Sequence, residues 1–450
     1  MQSTAPAWNA FAPHAGRPYA FFLDRAGRHT PSFAGSLPSS LLWIDRHANA
    51  RIWRHGAWHC AGNDPVRAVA EFVADSRAAS TLPLPPFLRR AVLPRTVGYL
   101  SYDIGRWIER VPAPRRDSLG LGLALLCNYD RVDAWDERNT RRVRVEFDVP
   151  RAGPPAPRIR DTARAKTARA PEPDMLRAIY AEGFERIQRA ITAGEVYQVN
   201  LYRRIAVEQH ATSEKIFERM HSGQAVPQGA FLDAGAFQLM SNSPETFLQI
   251  DGSEIRTFPI KGTRPRSRDE REDRRLLDEM THDAKERAEH LMIVDLERND
   301  LGRICEIGSV TVPSFCEPHS FASVHHMVSE VRGRLRNEVG LEDILRATFP
   351  GGSITGAPKI KAMEIIAEVE PDSRGPYTGA IGCFNGSRRS DLNVAIRTAF
   401  SKNGKLYYST GGGIVADSSL EAEYAETVDK ARVFESAARS EPLRVKSLAS

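Results

Sequence analysis

Two dipeptides, Asp251-Gly252 and Asn403-Gly404, each fall between apolar, strand-like runs, and they constrain the fold more than any other feature of the chain. Runs at 236–241 and 246–250 precede the first pair and 255–260 follows it; runs at 392–401 and 405–409 flank the second. An Asp-Gly or Asn-Gly pair accepts the positive φ angles of a tight hairpin turn, so the strands it joins are antiparallel. Long helical patterns lie between the hairpins, at 174–193, 283–299, 358–368 and 420–437. In the first of these, Tyr180, Phe184, Ile187 and Ile191 share one face, and Gly194 suits the left-handed position past the end. Antiparallel hairpins with inserted long helices imply an α+β protein and exclude a βαβ repeat.

Composition breaks once, over 149–173, VPRAGPPAPRIRDTARAKTARAPEP, which has no apolar period and reads as an exposed connector. It divides the chain into an N-terminal region, 1–150, the connector, 151–173, and a second region, 174–440. The first region carries strand-like runs such as AFFLD, LLWID and RVRVEFDV and one helical stretch near 65–74. A net charge of +5, with arginines scattered among acidic residues, does not form a nucleic-acid footprint. No stretch is long and apolar enough for a membrane span, and the N-terminus lacks the basic start and apolar run of a signal peptide. The five cysteines (Cys60, Cys127, Cys305, Cys316 and Cys383) form no CxxC pair and no zinc spacing, so reduced thiols in a cytoplasm are expected.

Two helices carry paired carboxylates. Glu286 and Glu289 are three apart in DAKERAEHLMIVDLERND, and Glu423 and Glu426 are three apart in SSLEAEYAETVDK, with Lys430 a turn further on. Such pairs are either solvated faces or, taken together, oxygen ligands for a hard divalent ion such as Mg²⁺. Ser418 and Glu421 fit a capping box at the start of the second helix. In PIKGTRPR, Lys261 is a nucleophile, an anion ligand or simply exposed; Arg264 and Arg266 beside it disfavour a further positive charge.

PGGSITGAPK, 350–359, lacks the Gly-Lys-Ser/Thr ending of a nucleotide-binding loop, so an NTPase is disfavoured. It is either a tight turn before a helix or a set of amides for an anion such as a carboxylate. Glu245, beside Phe247 and Leu248, is a desolvated general acid or a strand-edge glutamate. Arg397, within the apolar run NVAIRTAF, calls for a buried carboxylate partner from protein or ligand. Gly411, Gly412 and Gly413 mark a close approach of backbone to something else.

In this order, GYLSYDIGR, GEVYQVNL, SNSPETFL, PIKGTRPR, KERAEHLMIVDLERNDLGR, PGGSITGAPK, DLNVAIRTAF, STGGGIVADS and EAEYAETVDK resemble the chorismate-utilising enzymes, across residues 98 to 430. That family includes anthranilate synthase component I, aminodeoxychorismate synthase component I, isochorismate synthase and salicylate synthase. The resemblance implies its fold, a large antiparallel-sheet sandwich with helices packed outside, and makes 174–440 the chorismate-binding catalytic region. It implies Mg²⁺ on Glu289 and Glu423, with Glu286 and Glu426 close by. It implies chorismate contacts from Gly262, Thr263, Tyr377, Arg397 and Gly411–Gly413, with Arg397 pairing with the enolpyruvyl carboxylate. His326 and Lys430 match further active-site positions, and Glu245 matches the acid that helps the 4-hydroxyl leave.

Two positions choose among the members. Gln198 stands where the members that add water carry a lysine base, and Lys261 stands where anthranilate synthases carry alanine. The resemblance therefore implies addition of Lys261 to C2 of chorismate and of ammonia to C4, giving the precursor of p-aminobenzoate. Anthranilate synthesis is the rival, and a catalytically silent chorismate-binding subunit the more distant one. The chain has no Gly-x-Cys-x-Gly nucleophile elbow, so ammonia is expected from solution or from a separate glutaminase subunit, and the resemblance implies the subunit. The family's tryptophan-site segment reads Gln224-Ala-Val-Pro227-Gln228 here, a departure from its pattern.

Overall fold

The strand Phe21–Asp24 is buried along its whole length, because its two faces meet two different apolar layers. Phe21 and Leu23 face one way, into a cluster with Leu41, Val97, Leu125, Leu239 and Phe400. Phe22 faces the other way, against Phe217, Met220 and Phe434 of two helices. Alternation of side chains along a strand makes this possible only if the strand lies in a sheet with another sheet on one side and helices on the other. That is the architecture of this computed structural model, which describes residues 11–24, 31–136, 141–149, 156–159, 173–222, 226–321 and 324–439.

Among those residues two antiparallel sheets pack face to face. One has ten strands, in the order 356–357, 198–208, 405–414, 398–402, 238–243, 228–233, 21–24, 32–35, 131–135 and 142–146. The other has twelve, running 260–265, 324–334, 254–258, 246–251, 389–394, 380–384, 96–100, 124–128, 40–44, 50–54 and 57–60, with 311–320 beside 324–334. Helices Ser213–Ser222 and Leu420–Arg439 cover the outer face of the first sheet, and residues of Pro65–Asp75, Ala284–Gly302 and Lys359–Val369 join the cluster outside the second. The α+β sandwich expected from the sequence is present. Both hairpin turns are as read, with Gly252, Asn403 and Gly404 all at positive φ.

Strands from 21 to 146 complete one end of both sheets, so the N-terminal region shares its core with the rest of the chain. Of the stretch read as an exposed connector, 156–159 is described, and it is docked. The buried Tyr19 hydroxyl donates to the Pro157 carbonyl (2.6 Å) and accepts from the Ile159 amide (2.8 Å), while Ala156 is buried. A buried hydroxyl needs partners, and this backbone supplies them. The remainder of the connector, and Gln224 and Ala225 of the departing segment, lie outside the described residues.

The run 392–401 is not one strand. Arg389–Val394 belongs to the twelve-stranded sheet and Thr398–Lys402 to the ten-stranded one. The chain crosses between them at 395–397, with Arg397 at φ +50°. Beside it the chain crosses a second time, from Gln238–Ser243 to Thr246–Asp251 through Pro244 and Glu245. The two crossings are bonded together: Asn242 N–H donates to the Arg397 carbonyl (3.0 Å) and Val394 N–H to the Glu245 carbonyl (3.1 Å). Glu245 and Arg397 thus both sit at the corner where two chain segments change sheets. All five cysteines are free thiols, and among the described residues no helix is long and apolar enough to cross a membrane.

Candidate active site

Pairing between Ile260–Pro265 and Val324–Arg334 slips between Lys261 and Thr263, with Gly262 at φ +66°. An extra residue of this kind is a β-bulge, and it re-aims the side chains around it. Lys261 Nζ points inward to Gln198 Oε1 (3.4 Å) and Glu289 Oε2 (3.5 Å). The two residues that distinguished the family members in the sequence are therefore in contact. Arg264 and Arg266 do not crowd the lysine as expected. Arg264 pairs with Glu286 (2.8 Å) and Asp283 (3.8 Å), and Arg266 with Asp273 (2.9 Å), because carboxylates are available on the following helices.

Beyond the bulge, His326 Nδ1 lies 3.0 Å from the Gly262 carbonyl and 3.1 Å from Thr263 Oγ1. A carbonyl can only accept, so Nδ1 carries the proton and Nε2 is left as an acceptor. Burial, helped by the charge of Arg397, pushes this imidazole down to about 4, so it is neutral at physiological pH. A Cβ at Gly262 would lie 2.7 Å from Glu286 Oε2 and 2.9 Å from Met327 Cε. Gly262→Ala is therefore expected to cost about 1–2 kcal/mol from the positive φ alone and to displace Glu286, measurable as a lower urea midpoint with impaired turnover.

Glu245 is 5% exposed, and its Oε1 accepts from Ser353 Oγ at 2.5 Å. Burial pushes this carboxyl up to about 8, with Glu297 adding to the rise and Ser353 and Lys261 opposing it. It is a neutral carboxylic acid at pH 7, as a general acid has to be. Arg397 is half-buried, and its guanidinium makes no hydrogen bond or ion pair to the described residues; Glu426 and His326 lie within its field. An arginine so placed has its donors free to take a carboxylate.

The helix Leu420–Arg439 begins without the expected capping box. Ser419 Oγ accepts from Ala422 N–H (3.4 Å), while Ser418 Oγ donates to Glu423 Oε1 (2.6 Å). The neighbouring serine can cap, which frees Ser418 to orient a carboxylate. Lys430 Nζ bonds the Gly411 carbonyl (2.8 Å) and Glu426 (2.5 Å). Gly411, Gly412 and Gly413 pair with Tyr202, Leu201 and Asn200. A Cβ at Gly413 would meet the Gln198 amide at 2.9 Å, so the strand passes directly over that side chain. Gln198 is fully buried and its Nε2 has no partner among the described residues, which leaves both of its N–H donors unused. Tyr377 is buried and packs on Tyr202, ring centres 5.5 Å apart.

Of the two readings of 350–359, the tight turn before a helix is present, and the amide it gives to a carboxylate goes to one within the protein. Gly352 N–H donates to Glu297 Oε1 (3.0 Å), and 356–357 pairs with Gln198–Val199 as a short strand. Its contribution to the site is Ser353, which gives no signal of its own in the sequence. Neither does Arg374, fully buried, which donates to the carbonyls of Ile354 and Asn200 (2.9 Å each) and holds two site segments together.

Among the described residues no three His, Cys, Asp or Glu side chains are drawn around one point as a finished metal cage. Glu289 is held by Lys261, Glu286 by Arg264 and Glu426 by Lys430. The donor set still suits a hard divalent cation. Glu286 Oε2 is buried without a partner. Burial raises the Glu423 carboxyl, and the charges of Glu426 and Glu289 raise it further, a like-charge convergence that a cation relieves.

Residues 38–436 match the profile of the chorismate binding enzymes. The chain is 40% identical over 343 residues to aminodeoxychorismate synthase component 1 of Salmonella typhimurium, covering 74% of each chain. It is 37% identical over 363 residues to an anthranilate synthase component 1 of Haloarcula marismortui, covering 75% of this chain and 74% of that one. Its structure superimposes on anthranilate synthase component I from Streptococcus pneumoniae with a TM-score of 0.75, at 27% identity over 90% and 92% of the two chains.

Proposed function

The chain belongs to the chorismate binding enzyme family, and from that premise we propose that it aminates chorismate at C4, with Lys261 as a covalent nucleophile. One observation carries this reading: Lys261 Nζ lies 3.4 Å from Gln198 and within the electrostatic reach of the neutral acid Glu245. Lys261 passes its proton to solvent, and its amine adds to C2 as the ring double bonds shift and the C4–O bond breaks. Glu245 gives its proton to the departing hydroxyl, which leaves as water. Ammonia then adds to C4, the double bonds shift back, and the C2–N bond to Lys261 breaks, while ammonia's surplus proton returns to Glu245. The product is 4-amino-4-deoxychorismate with its enolpyruvyl ether intact.

Gln198 has no basic atom with which to deprotonate water, so hydroxylation of the ring is disfavoured. Arg397, without a hydrogen bond or ion pair to the described residues, takes the enolpyruvyl carboxylate; Gly262, Thr263, His326, Tyr377, Gly411–Gly413 and Lys430 line the remainder. Glu286, Glu289, Glu423 and Glu426 would hold Mg²⁺, which supplies positive charge for the ring carboxylate. Ammonia comes from a separate glutaminase subunit or from solution.

The test is to incubate the protein with chorismate, ammonium and Mg²⁺ at mildly basic pH and identify the product. A C4 amine with its enolpyruvyl group supports the reading; anthranilate with released pyruvate overturns it. Chelation is expected to abolish turnover and added Mg²⁺ to restore it. Glu423→Gln is expected to raise the Mg²⁺ needed by roughly tenfold or more, read calorimetrically as weaker Mg²⁺ binding.

A further inference from the structure

Glu297 lies on the same helix as Glu286 and Glu289, takes no part in the steps above, and yet is only 3% exposed. Its Oε1 accepts the Gly352 amide at 3.0 Å. The next residue, Ser353, donates its hydroxyl to Glu245 Oε1 at 2.5 Å. Two buried carboxyl groups therefore grip consecutive residues of one tight turn, Gly352–Ile354. The turn is fixed from other sides as well: Asn200 Nδ2 donates to the Ser353 carbonyl (2.8 Å) and Arg374 to the Ile354 carbonyl (2.9 Å). It also has no slack, since a Cβ on Gly352 would lie 2.6 Å from Leu296 Cδ2 and 3.2 Å from Glu297 Oε1.

We propose that Glu297 is a positioning residue for the acid: it fixes the turn that carries Ser353, and its negative charge keeps Glu245 in the protonated form. The inference rests on the reading of Glu245 as the general acid. Because Ser353 donates to Oε1, the transferable proton resides on Oε2. Ser353, Glu297 and Lys261 act on Glu245, while Asp300 and Lys359 act on Glu297 from its own helix and the one following the turn. Burial, reinforced by Asp300 and opposed by Lys359, pushes Glu297 up to about 7. It is ionised in the alkaline range, where Glu245 must still hold its proton.

Glu297→Gln separates the two roles, because the amide oxygen still accepts from Gly352 N–H while the charge is gone. The experiment compares kcat against pH for the wild type, Glu297→Gln and Glu245→Gln, with circular dichroism confirming the fold of each. The alkaline limb of Glu297→Gln is expected to move to lower pH by roughly one unit, the low end of a neighbouring like charge. A purely structural role would lower kcat at every pH and leave the limb where it was. If Glu245→Gln is inactive and the limb of Glu297→Gln is unmoved, this inference fails alone. If Glu245→Gln keeps the wild-type rate and limb, the assignment of the acid fails and the inference with it.

Discussion

Replacing Lys261 by alanine is expected to reduce C4 amination on the order of a thousandfold while leaving the fold intact. The side chain is half-buried and its contacts are long, 3.4 Å and 3.5 Å, so its loss is expected to change stability by no more than about 1 kcal/mol. The effect on chemistry is far larger, since no other amine is placed on the bulge. Gln198 cannot substitute, and Arg264 is held by Glu286 and Asp283. With C2 left open, what turnover remains is expected to divert towards amination at C2. Separation of products from the variant and the wild type checks both statements; a variant with wild-type rate and product would remove the covalent step.

Glu245→Gln is expected to lower kcat by roughly 10²–10⁴-fold, the usual contribution of a positioned acid, and at the same time to stabilise the protein. The sign follows from proton linkage. The Glu245 carboxyl titrates near 4.5 when unperturbed and about 8 in the folded chain. Below about 4.5 both states hold the proton and nothing differs. As pH rises from there to about 8, the unfolded chain ionises and the folded one does not, so stability is lost across that window. A shift of that size corresponds to a few kcal/mol by pH 8. Glutamine cannot ionise, so the variant's denaturation midpoint should fall less between pH 5 and 8 than the wild type's. The same property sets the wild-type rate: turnover declines as pH passes about 8 and the acid loses its proton. A variant both active and unchanged in this pH dependence would contradict the role of Glu245.

The features that follow from local chemistry were legible in the sequence. Asp251-Gly252 and Asn403-Gly404 gave the hairpins, and period gave the helix Pro173–Thr192 with Gly194 beyond its end. Where the chain changes sheets was not legible. Residues 392–395 and 398–401 are buried whether apolar or polar, because the two sheets enclose them, and a run buried on both faces has no period to mark the crossing at Arg397. The turn partners were hidden for a different reason. Whether Ser418 caps a helix or orients Glu423, and whether Arg264 faces Lys261 or Glu286, depends on which element packs opposite. The glycine in PIKGT did carry a signal, since glycine inside a strand marks a bulge, and the bulge is what turns Lys261 inward.

The central claim is a bond between Lys261 and C2 of the substrate, and mass spectrometry of the chain with chorismate and Mg²⁺, ammonia withheld, tests it most directly. The account predicts that the peptide containing Lys261 gains the mass of chorismate less one water, that the gain disappears on adding ammonium, and that Lys261→Ala never shows it. An unmodified peptide from a wild-type protein that still aminates chorismate at C4 would contradict it.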